Sequence, residues 1–212
     1  MIILVGGEKG GSGKSCLAQN LAVYLQMRGK DVLLVDCDPQ HTSSDWAKER
    51  EQNEAVAALP CVIANGNIRE TIADLKKRYA NIVIDCGGHD SVALRSGMTV
   101  ATHALLPFRP KRRDLKTLES VAELVELALA VNPALKANAV ITQCPAMPSQ
   151  FPRIADAKAS CASFGIEPLD AVTMNRNVYD DSDEDGSSVL ENGNDAKAVA
   201  ELMAMANEFL EV

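Results

Sequence analysis

Residues 8–15 read Glu8-Lys9-Gly10-Gly11-Ser12-Gly13-Lys14-Ser15, and this stretch decides the fold. An apolar run from Ile2 to Val5 precedes it, and helical periodicity follows it from Lys14 to Arg28. A strand, a glycine-rich turn and a helix in this order typically bind phosphate, because the backbone N–H groups of the turn and of the helix start converge. The sequence therefore predicts a P-loop, with Lys14 on the β- and γ-phosphates and Ser15 supplying a hydroxyl to Mg²⁺.

The stretch departs from the usual pattern G-x-x-x-x-G-K-[ST] in two ways. The first glycine of that pattern would fall at residue 8, which is Glu8, and an additional lysine, Lys9, lies inside the loop. The remaining glycines still allow the backbone to approach phosphate oxygens without a Cβ clash. A glycine-rich turn with chance lysines is the competing interpretation, and the two motifs that follow in the chain argue against it.

Two further apolar runs end in aspartates. Val32 to Val35 is followed by Asp36 and Asp38, and Ile82 to Ile84 is followed by Asp85 and then Gly87 and Gly88. In a parallel sheet such strand ends lie on the carboxyl edge, next to the P-loop. We therefore expect the three carboxylates near the phosphates, with the glycines letting the chain pass close to the γ-phosphate.

Short apolar runs alternate with amphipathic segments along the whole chain, which is typical of a parallel sheet with crossover helices. We predict a single α/β domain over residues 1–212, a mostly parallel twisted sheet with helices on both faces. The further predicted strands are Cys61–Ile63, His103–Leu106, Ala139–Ile141 and a weaker one near Ala171–Val172. The further predicted helices are Ile68–Tyr79, Leu115–Ala130, Ile154–Phe164 and Asp195–Leu210, and Asp180–Gly186 is predicted to be an exposed acidic loop.

Composition narrows the function. The formal net charge is -8, so any nucleic-acid contact needs a local basic patch. The six cysteines form no CxxC pair and the three histidines add no metal-ligand spacing, which favours buried thiols in a reducing cytoplasm. No stretch resembles a signal peptide or approaches the roughly 20 apolar residues of a membrane span, so we expect a cytoplasmic protein.

Residues 9–15 resemble the deviant Walker A box of the ParA/MinD ATPases, with Lys9 as the additional lysine. Residues 32–40 and 82–88 are similar to the second box and the Walker B motif of this family. The similarity continues in residues 105–110, a strand followed by P-x-x-P, and in residues 175–179 and 186–191. The short chain is most similar to the small plasmid-partition ParA proteins of the ParF type. Cys16 stands where a threonine is common.

The resemblance implies an ATPase that uses ATP and Mg²⁺ and forms a homodimer when ATP is bound. It implies that Lys9 acts on the phosphates of the partner subunit, that Lys14 acts on those of its own subunit, and that Asp38 orients the attacking water. Residues 8–16 with Pro107 and Arg176 would bind the nucleotide, Pro107 at the adenine. Ser15 would bind Mg²⁺, with Asp36 and Asp85 acting through water.

The family also implies non-specific DNA binding, association with the nucleoid when ATP is bound, and a ParB/ParG-like centromere-binding partner that stimulates hydrolysis. The dense basic cluster is Arg109, Lys111, Arg112, Arg113 and Lys116, with Arg153 and Lys158 as further candidates. A solvated helix start is the alternative interpretation of this cluster.

Other functions remain open at this stage. A ParA-like ATPase that positions a chromosome origin, a protein cluster or a division regulator would carry the same ATPase motifs. A MinD-like membrane ATPase is less favoured, because the last predicted helix carries Glu201, Glu208 and Glu211 on its polar side and would be repelled by anionic lipid.

Overall fold

Seven strands form one sheet in the computed structural model, which describes residues 1–87 and 92–211. Its order is β3-β2-β4-β1-β5-β6-β7, and all neighbouring strands run parallel, as the sequence predicts for most of them. The strands are β1 Ile2–Gly6, β2 Val32–Asp36, β3 Cys61–Ile63, β4 Asn81–Cys86, β5 His103–Phe108, β6 Lys136–Cys144 and β7 Glu167–Met174.

Helices cover both faces of the sheet. They are α1 Lys14–Met27, α2 Thr42–Gln52, α3 Arg69–Leu75, α4 Val92–Met98, α5 Arg112–Leu115, α6 Leu118–Val131, α7 Pro152–Ser163, α8 Val178–Asp181, α9 Val189–Asn192 and α10 Ala196–Leu210. In β1, Ile2 and Leu4 belong to the core cluster on one face, and Ile3 and Val5 belong to the cluster on the other. Because both faces are covered, the central strands are continuously apolar.

The sheet topology places the aspartates beside the P-loop. β1 lies between β4 and β5, and β4 pairs on its other side with β2. In this register Asp36 lies opposite Asp85, and Gly6 lies opposite Cys86. The ends of β1, β2 and β4 therefore meet at one edge of the sheet.

Several elements differ from the prediction. The short helices α4, α8 and α9 were not predicted, and α3 is shorter than the predicted helix Ile68–Tyr79. β7 is eight residues long, and its apolar run is short because it is an edge strand in which Leu169 and Thr173 are the buried positions. The helix predicted from Leu115 is divided into α5 and α6; the Thr117 hydroxyl donates to the Asp114 carbonyl at the break and competes with the helical pattern. The helix α2 was not predicted, because its sequence is mostly polar.

The acidic segment 180–186 is only in part the exposed loop that the sequence predicts. Residues up to Asp181 belong to α8, and both Ser182 and Gly186 are buried. Gly186 has φ +69 and lies against the backbone of Arg50 in α2, where a Cβ would clash with the Arg50 nitrogen. The segment is therefore packed against α2, although its carboxylates other than Asp183 remain exposed.

Candidate nucleotide site

The phosphate loop, residues 8–15, lies between β1 and α1. Gly11 has φ +74, and Gly13, which caps α1, has φ +86. Both values lie in the left-handed region, where a residue with a Cβ is strained. The loop thus needs glycine at these two positions for its own conformation, and Gly13 starts α1 by accepting a hydrogen bond from the Leu17 amide.

Side chains from the β5 and β6 side of the sheet hold the outer side of this loop. They donate to one carboxylate and to three consecutive backbone carbonyls of the loop. The pairs are Ser120 to Glu8 (2.6 Å), Arg109 to the Gly10 carbonyl (3.3 Å), Gln143 to the Gly11 carbonyl (2.9 Å) and Thr142 to the Ser12 carbonyl (2.8 Å). Carbonyls fixed outwards in this way suit a loop whose amides gather around an anion.

The two lysines of the loop lie in different environments. Lys14 is buried, and its Nζ donates to the Lys9 carbonyl at 2.9 Å. Burial lowers the pKa of Lys14, while the nearby carboxylates of Asp85 and Asp38 act in the opposite direction. Lys9 itself is exposed at the rim of the loop. Lys14 is therefore a buried cation next to the phosphate cleft, whereas Lys9 is exposed to solvent.

Asp36 organises the turn that follows β2. Its carboxylate is fully buried; Oδ1 accepts from the Asp38 amide at 3.0 Å and Oδ2 accepts from the Ser44 amide at 2.7 Å. These bonds fix both the turn and the first turn of α2. Asp36 lies beside Asp85 as predicted, but both of its oxygens already accept backbone N–H groups.

Asp85 is a buried carboxylate with one oxygen that accepts no hydrogen bond from the described residues. Its Oδ2 accepts a hydrogen bond from the Ser43 hydroxyl at 2.7 Å, and within the described residues its Oδ1 has no hydrogen-bond partner. Burial raises the pKa of Asp85 to about 6, and the nearby hydroxyl groups of Ser43 and Ser15 partly oppose the shift. Ser43 was missed by the sequence analysis, because nothing in a polar helix start marks one serine as a carboxylate partner.

These residues fit a magnesium ion. Within residues 1–87 and 92–211, no three His, Cys, Asp or Glu side chains converge as a ligand cluster. Mg²⁺ commonly takes few protein ligands and keeps waters and phosphate oxygens. An unpartnered carboxylate oxygen beside the Ser15 hydroxyl suits that coordination.

Asp38 lies at the wall of the phosphate cleft. This cleft has a volume of about 460 Å³ and is lined by residues 8, 10, 11, 13–16, 38–40 and 42. A Cβ at Gly87 would collide with the Asp38 carboxylate, so Gly87 is needed to make room for Asp38. Gly88, the second glycine of the predicted motif, lies outside the described residues.

A second pocket, which we call the base pocket, opens on the other side of the loop. It is lined by Gly13, Cys16, Leu17, Thr142, Gln143, Thr173, Met174, Asn175, Arg176, Tyr179 and Asp180. Gly13 and Cys16 line both this pocket and the phosphate cleft, so one ligand can extend from one into the other. The predicted residues Cys16 and Arg176 are therefore brought together here, with Arg176 held by Glu201 at 2.6 Å.

Pro107 lies apart from the base pocket. It is buried within β5, in register with Val140 of β6, and lines neither the phosphate cleft nor the base pocket. The base pocket is lined by the ends of β6 and β7, and the predicted contact of Pro107 with an adenine stays a prediction. Gln143, at the end of β6, adopts φ +49, and its amide nitrogen holds the Gly11 carbonyl. A strained non-glycine residue that fixes a binding loop is typical of a functional site.

Comparison with known proteins agrees with this geometry. Residues 3–189 match the family model of the CobQ/CobB/MinD/ParA nucleotide binding domain. The chain belongs to this family. It is therefore a nucleotide-binding ATPase of the ParA/MinD type.

Relatives of this ParA/MinD-family chain have different biological roles. It is 30% identical to Protein ParA of Rhizobium radiobacter, over 97% of this chain and 95% of the relative. It is 28% identical to the maintenance of carboxysome distribution protein A of Halothiobacillus neapolitanus, over 98% and 95% of the two chains. Its fold is similar to that of Pyrococcus horikoshii MinD complexed with Mg-ADP, with a TM-score of 0.75, 20% identity and coverage of 98% and 95%.

The basic cluster of this ParA/MinD-family chain is divided by the fold. One open groove, which we call the basic groove, is lined by Pro110, Lys111, Arg112, Leu115, Lys116, Arg153 and Asp156. Arg113 is exposed outside that lining, and Lys158 donates to the Asp170 carbonyl instead. Arg109 also lies outside it, because its guanidinium is turned to the phosphate loop and to Asp114. Within residues 1–87 and 92–211, every helix is too short or too polar to cross a membrane.

Proposed function

We propose that this chain is a DNA-partition ATPase whose ATP-bound, Mg²⁺-bound form is a homodimer. In this proposal the dimer associates with the nucleoid through non-specific DNA contacts, and a ParB/ParG-like centromere-binding protein stimulates hydrolysis and releases it. The single observation that supports the proposal most strongly is the contrast between the buried Lys14 and the exposed Lys9 in one loop. One chain needs only Lys14 to reach its own phosphates; an exposed Lys9 suits contact with nucleotide on a second subunit.

The residues around the phosphate cleft suit a slow hydrolase. Lys14 binds and neutralises the terminal phosphates. Ser15 and Asp85 would hold Mg²⁺, which would supply further charge neutralisation. Asp38 accepts a hydrogen bond from the attacking water and orients it. Lys9 from the second subunit adds positive charge to the transition state, in the way that an arginine finger acts in trans. Asp36 keeps the turn that carries Asp38 in place.

The basic groove is the proposed DNA contact. Four of its lining side chains are cations and one is a carboxylate, in a chain whose net charge is -8. Such a groove binds phosphates of any sequence, and affinity falls steeply with salt because bound counterions are released. Two copies of the groove in a dimer would bind with higher avidity than one, which makes retention on DNA depend on ATP.

Size-exclusion chromatography with light scattering tests the dimer. We expect the wild type to elute near 22.7 kDa without nucleotide and near twice that mass with ATP and Mg²⁺. Lys14→Ala loses nucleotide binding. Lys9→Ala binds ATP with unchanged monomer affinity but no longer dimerises or turns over normally, and Asp38→Ala binds ATP without hydrolysing it. An equal loss of monomer affinity in Lys9→Ala and Lys14→Ala would contradict an action in trans.

Retention on immobilised DNA tests the basic groove. We expect ATP-dependent retention by the wild type, lost in an Arg112→Ala/Lys116→Ala variant and reduced by added salt. Lys77→Ala is the matched control, because Lys77 is an exposed lysine paired with Asp74 on the α3 side of the chain. Unchanged retention of the double variant would move the DNA contact to another surface.

A second candidate function is the positioning of a protein cargo. It is favoured by the carboxysome-distribution relative, which is similar over almost the entire chain at nearly the same identity as ParA. The ATPase site is compatible with both functions. A plasmid-loss assay in cells that lack the gene distinguishes them: increased loss supports partition, whereas normal plasmid inheritance with a mislocalised protein cluster supports the alternative.

A further inference from the structure

Arg109 joins the basic helix α5 to the phosphate loop. Its side chain is 18% exposed and donates from Nη2 to the Gly10 carbonyl at 3.3 Å. The same guanidinium forms a two-point ion pair with the carboxylate of Asp114, whose side chain is 2% exposed. Two parallel N–H···O contacts fix the direction of a guanidinium, so the position of Asp114 determines where Arg109 can reach.

The contact on the loop side has a specific consequence. Among residues 1–87 and 92–211, no atom beyond the chain neighbours of Gly10 lies within 4 Å of a Cβ built on this residue, and Gly11 has φ +74. Sterics alone therefore hold this part of the loop weakly. If the Gly10 carbonyl loses its donor, its peptide unit can rotate, and the amide on its other side then turns away from the phosphate position. Arg109 contacts this carbonyl, which makes it a residue that shapes the loop from behind.

The contact on the helix side connects to the basic groove. Asp114 lies in α5, between the groove residues Arg112 and Lys116. Because α5 is a single turn, an anion that draws Arg112 and Lys116 towards itself displaces the whole turn together with the Asp114 carboxylate. Arg109 is the side chain that carries such a displacement to the loop.

We propose that Arg109, held by Asp114, is a positioning residue for the phosphate loop and couples ATP affinity to anion binding in the basic groove. The loop-shaping part depends only on the ATPase activity, whereas the coupling part rests on the proposed DNA-binding function. Linkage then requires that DNA and ATP change each other's affinity by the same factor.

Nucleotide binding without DNA tests the first part, with a fluorescent ATP analogue as the probe. We expect Arg109→Ala to weaken its affinity about tenfold, the effect of losing one charge-assisted hydrogen bond. Turnover at saturating ATP should stay within about twofold, because Arg109 shapes the loop before the reaction. Arg109→Lys should bind the analogue nearly as weakly as Arg109→Ala, since an ammonium cannot reproduce the two-point pair with Asp114. Full rescue by Arg109→Lys would show that charge alone matters and would overturn the positioning role.

Titration with a short DNA duplex tests the coupling. We expect DNA to raise the wild-type affinity for the ATP analogue about fivefold or more. Asp114→Asn should reduce this shift at least twofold and retain DNA binding, because the groove cations remain while dimerisation still links DNA to ATP. If Asp114→Asn shows the same shift as the wild type, the coupling through Arg109 is wrong and the proposed function stands. If the wild type does not bind DNA, the proposed function fails, while the Arg109 variants still decide the loop-shaping part. Lys77→Ala serves as the control in both titrations.

Discussion

Replacing Arg50 by methionine should destabilise the protein strongly. Arg50 extends from α2 with a side chain that is 0% exposed, and it forms a two-point ion pair with Glu191 at 2.6 and 2.8 Å. It also donates to the Gly186 carbonyl at 2.9 Å. These bonds hold the segment that contains α8 and α9, in which Tyr179 and Asp180 line the base pocket.

The expected loss in free energy of unfolding follows from the polar groups that Arg50→Met leaves without a partner. Methionine preserves most of the apolar volume, but Glu191 keeps a charge without its cation and the Gly186 carbonyl loses its donor. Removing one partner of a buried pair costs about 3–5 kcal/mol. Because the Glu191 side chain is still 18% exposed and can bind water, we expect a loss near the lower end, about 3 kcal/mol. For a chain of this size that is a decrease in Tm of about 6–12 °C.

Urea unfolding measures this effect. The single tryptophan, Trp46, lies beside the Arg50 guanidinium, so its fluorescence reports directly on this site, and far-UV circular dichroism provides an independent probe. Lys48→Met is the matched control on the same helix. Lys48 pairs with Asp45 at side-chain exposures of 66% and 62%, so its ion pair should contribute little to the free energy of unfolding.

The double variant Arg50→Met/Glu191→Met separates the pair from the volume change. It leaves no uncompensated charge, so it should be more stable than the sum of the single losses predicts, by about 2 kcal/mol. The reasoning is refuted if Arg50→Met costs no more than Lys48→Met, or if the two single losses are additive. We also expect Arg50→Met to weaken ATP binding, because the base pocket loses its support from α2.

Three further outcomes follow from single contacts. Gly87→Ala should abolish turnover and preserve ATP binding, measured as steady-state hydrolysis against equilibrium binding, because the new Cβ displaces the Asp38 carboxylate; normal turnover would exclude a role for this carboxylate position. Ser43→Ala should weaken the Mg²⁺ dependence of nucleotide binding several-fold, because Asp85 loses the hydroxyl that orients it, and a Mg²⁺ titration identical to wild type would contradict this. Burial raises the pKa of Cys144 from its ordinary value of 9.0 to about 12. The folded state therefore keeps the thiol proton while the unfolded state loses it, and the free energy of unfolding falls as the pH rises above about 9. Between about pH 7 and pH 10, Cys144→Ala should lose about 1.4 kcal/mol less of this free energy than the wild type, and an equal loss in both proteins would contradict the argument.

The fold was largely predictable because a parallel sheet covered on both faces has a strong sequence signal. The edge strand β3 has the predicted bounds, Cys61–Ile63, and the strands between the two edges extend their predicted apolar runs by one to six residues. The sequence could not indicate α2, for example, whose buried side includes serines and an arginine. The side chains of Ser43 and Arg50 are buried because they pair with Asp85 and Glu191, and these partners are far away in the sequence.

The candidate site was predictable at positions where the local structure or the ligand requires one particular residue type. Gly13 and Lys14 in the phosphate loop are of this kind, since a left-handed turn and a phosphate each require a particular side chain. Arg109 is different, because an arginine beside a basic cluster is expected to share its function. Only the fold shows that the buried Asp114 turns it towards the loop. Gln143 is likewise invisible in the sequence, since its role depends on a backbone conformation that it adopts against its own preference.

The central position of the first strand has a consequence for biosynthesis. β1 precedes both of its neighbours in the chain, because β4 and β5 end only at Cys86 and Phe108. Until residue 86 has been synthesised, the apolar residues of β1 have neither of these strands to pair with, and the base pocket is incomplete before Asp180. Sheets that depend on such distant pairings form slowly and expose apolar strands meanwhile. The nascent chain therefore passes through a long interval in which it needs protection and cannot yet be stabilised by ATP.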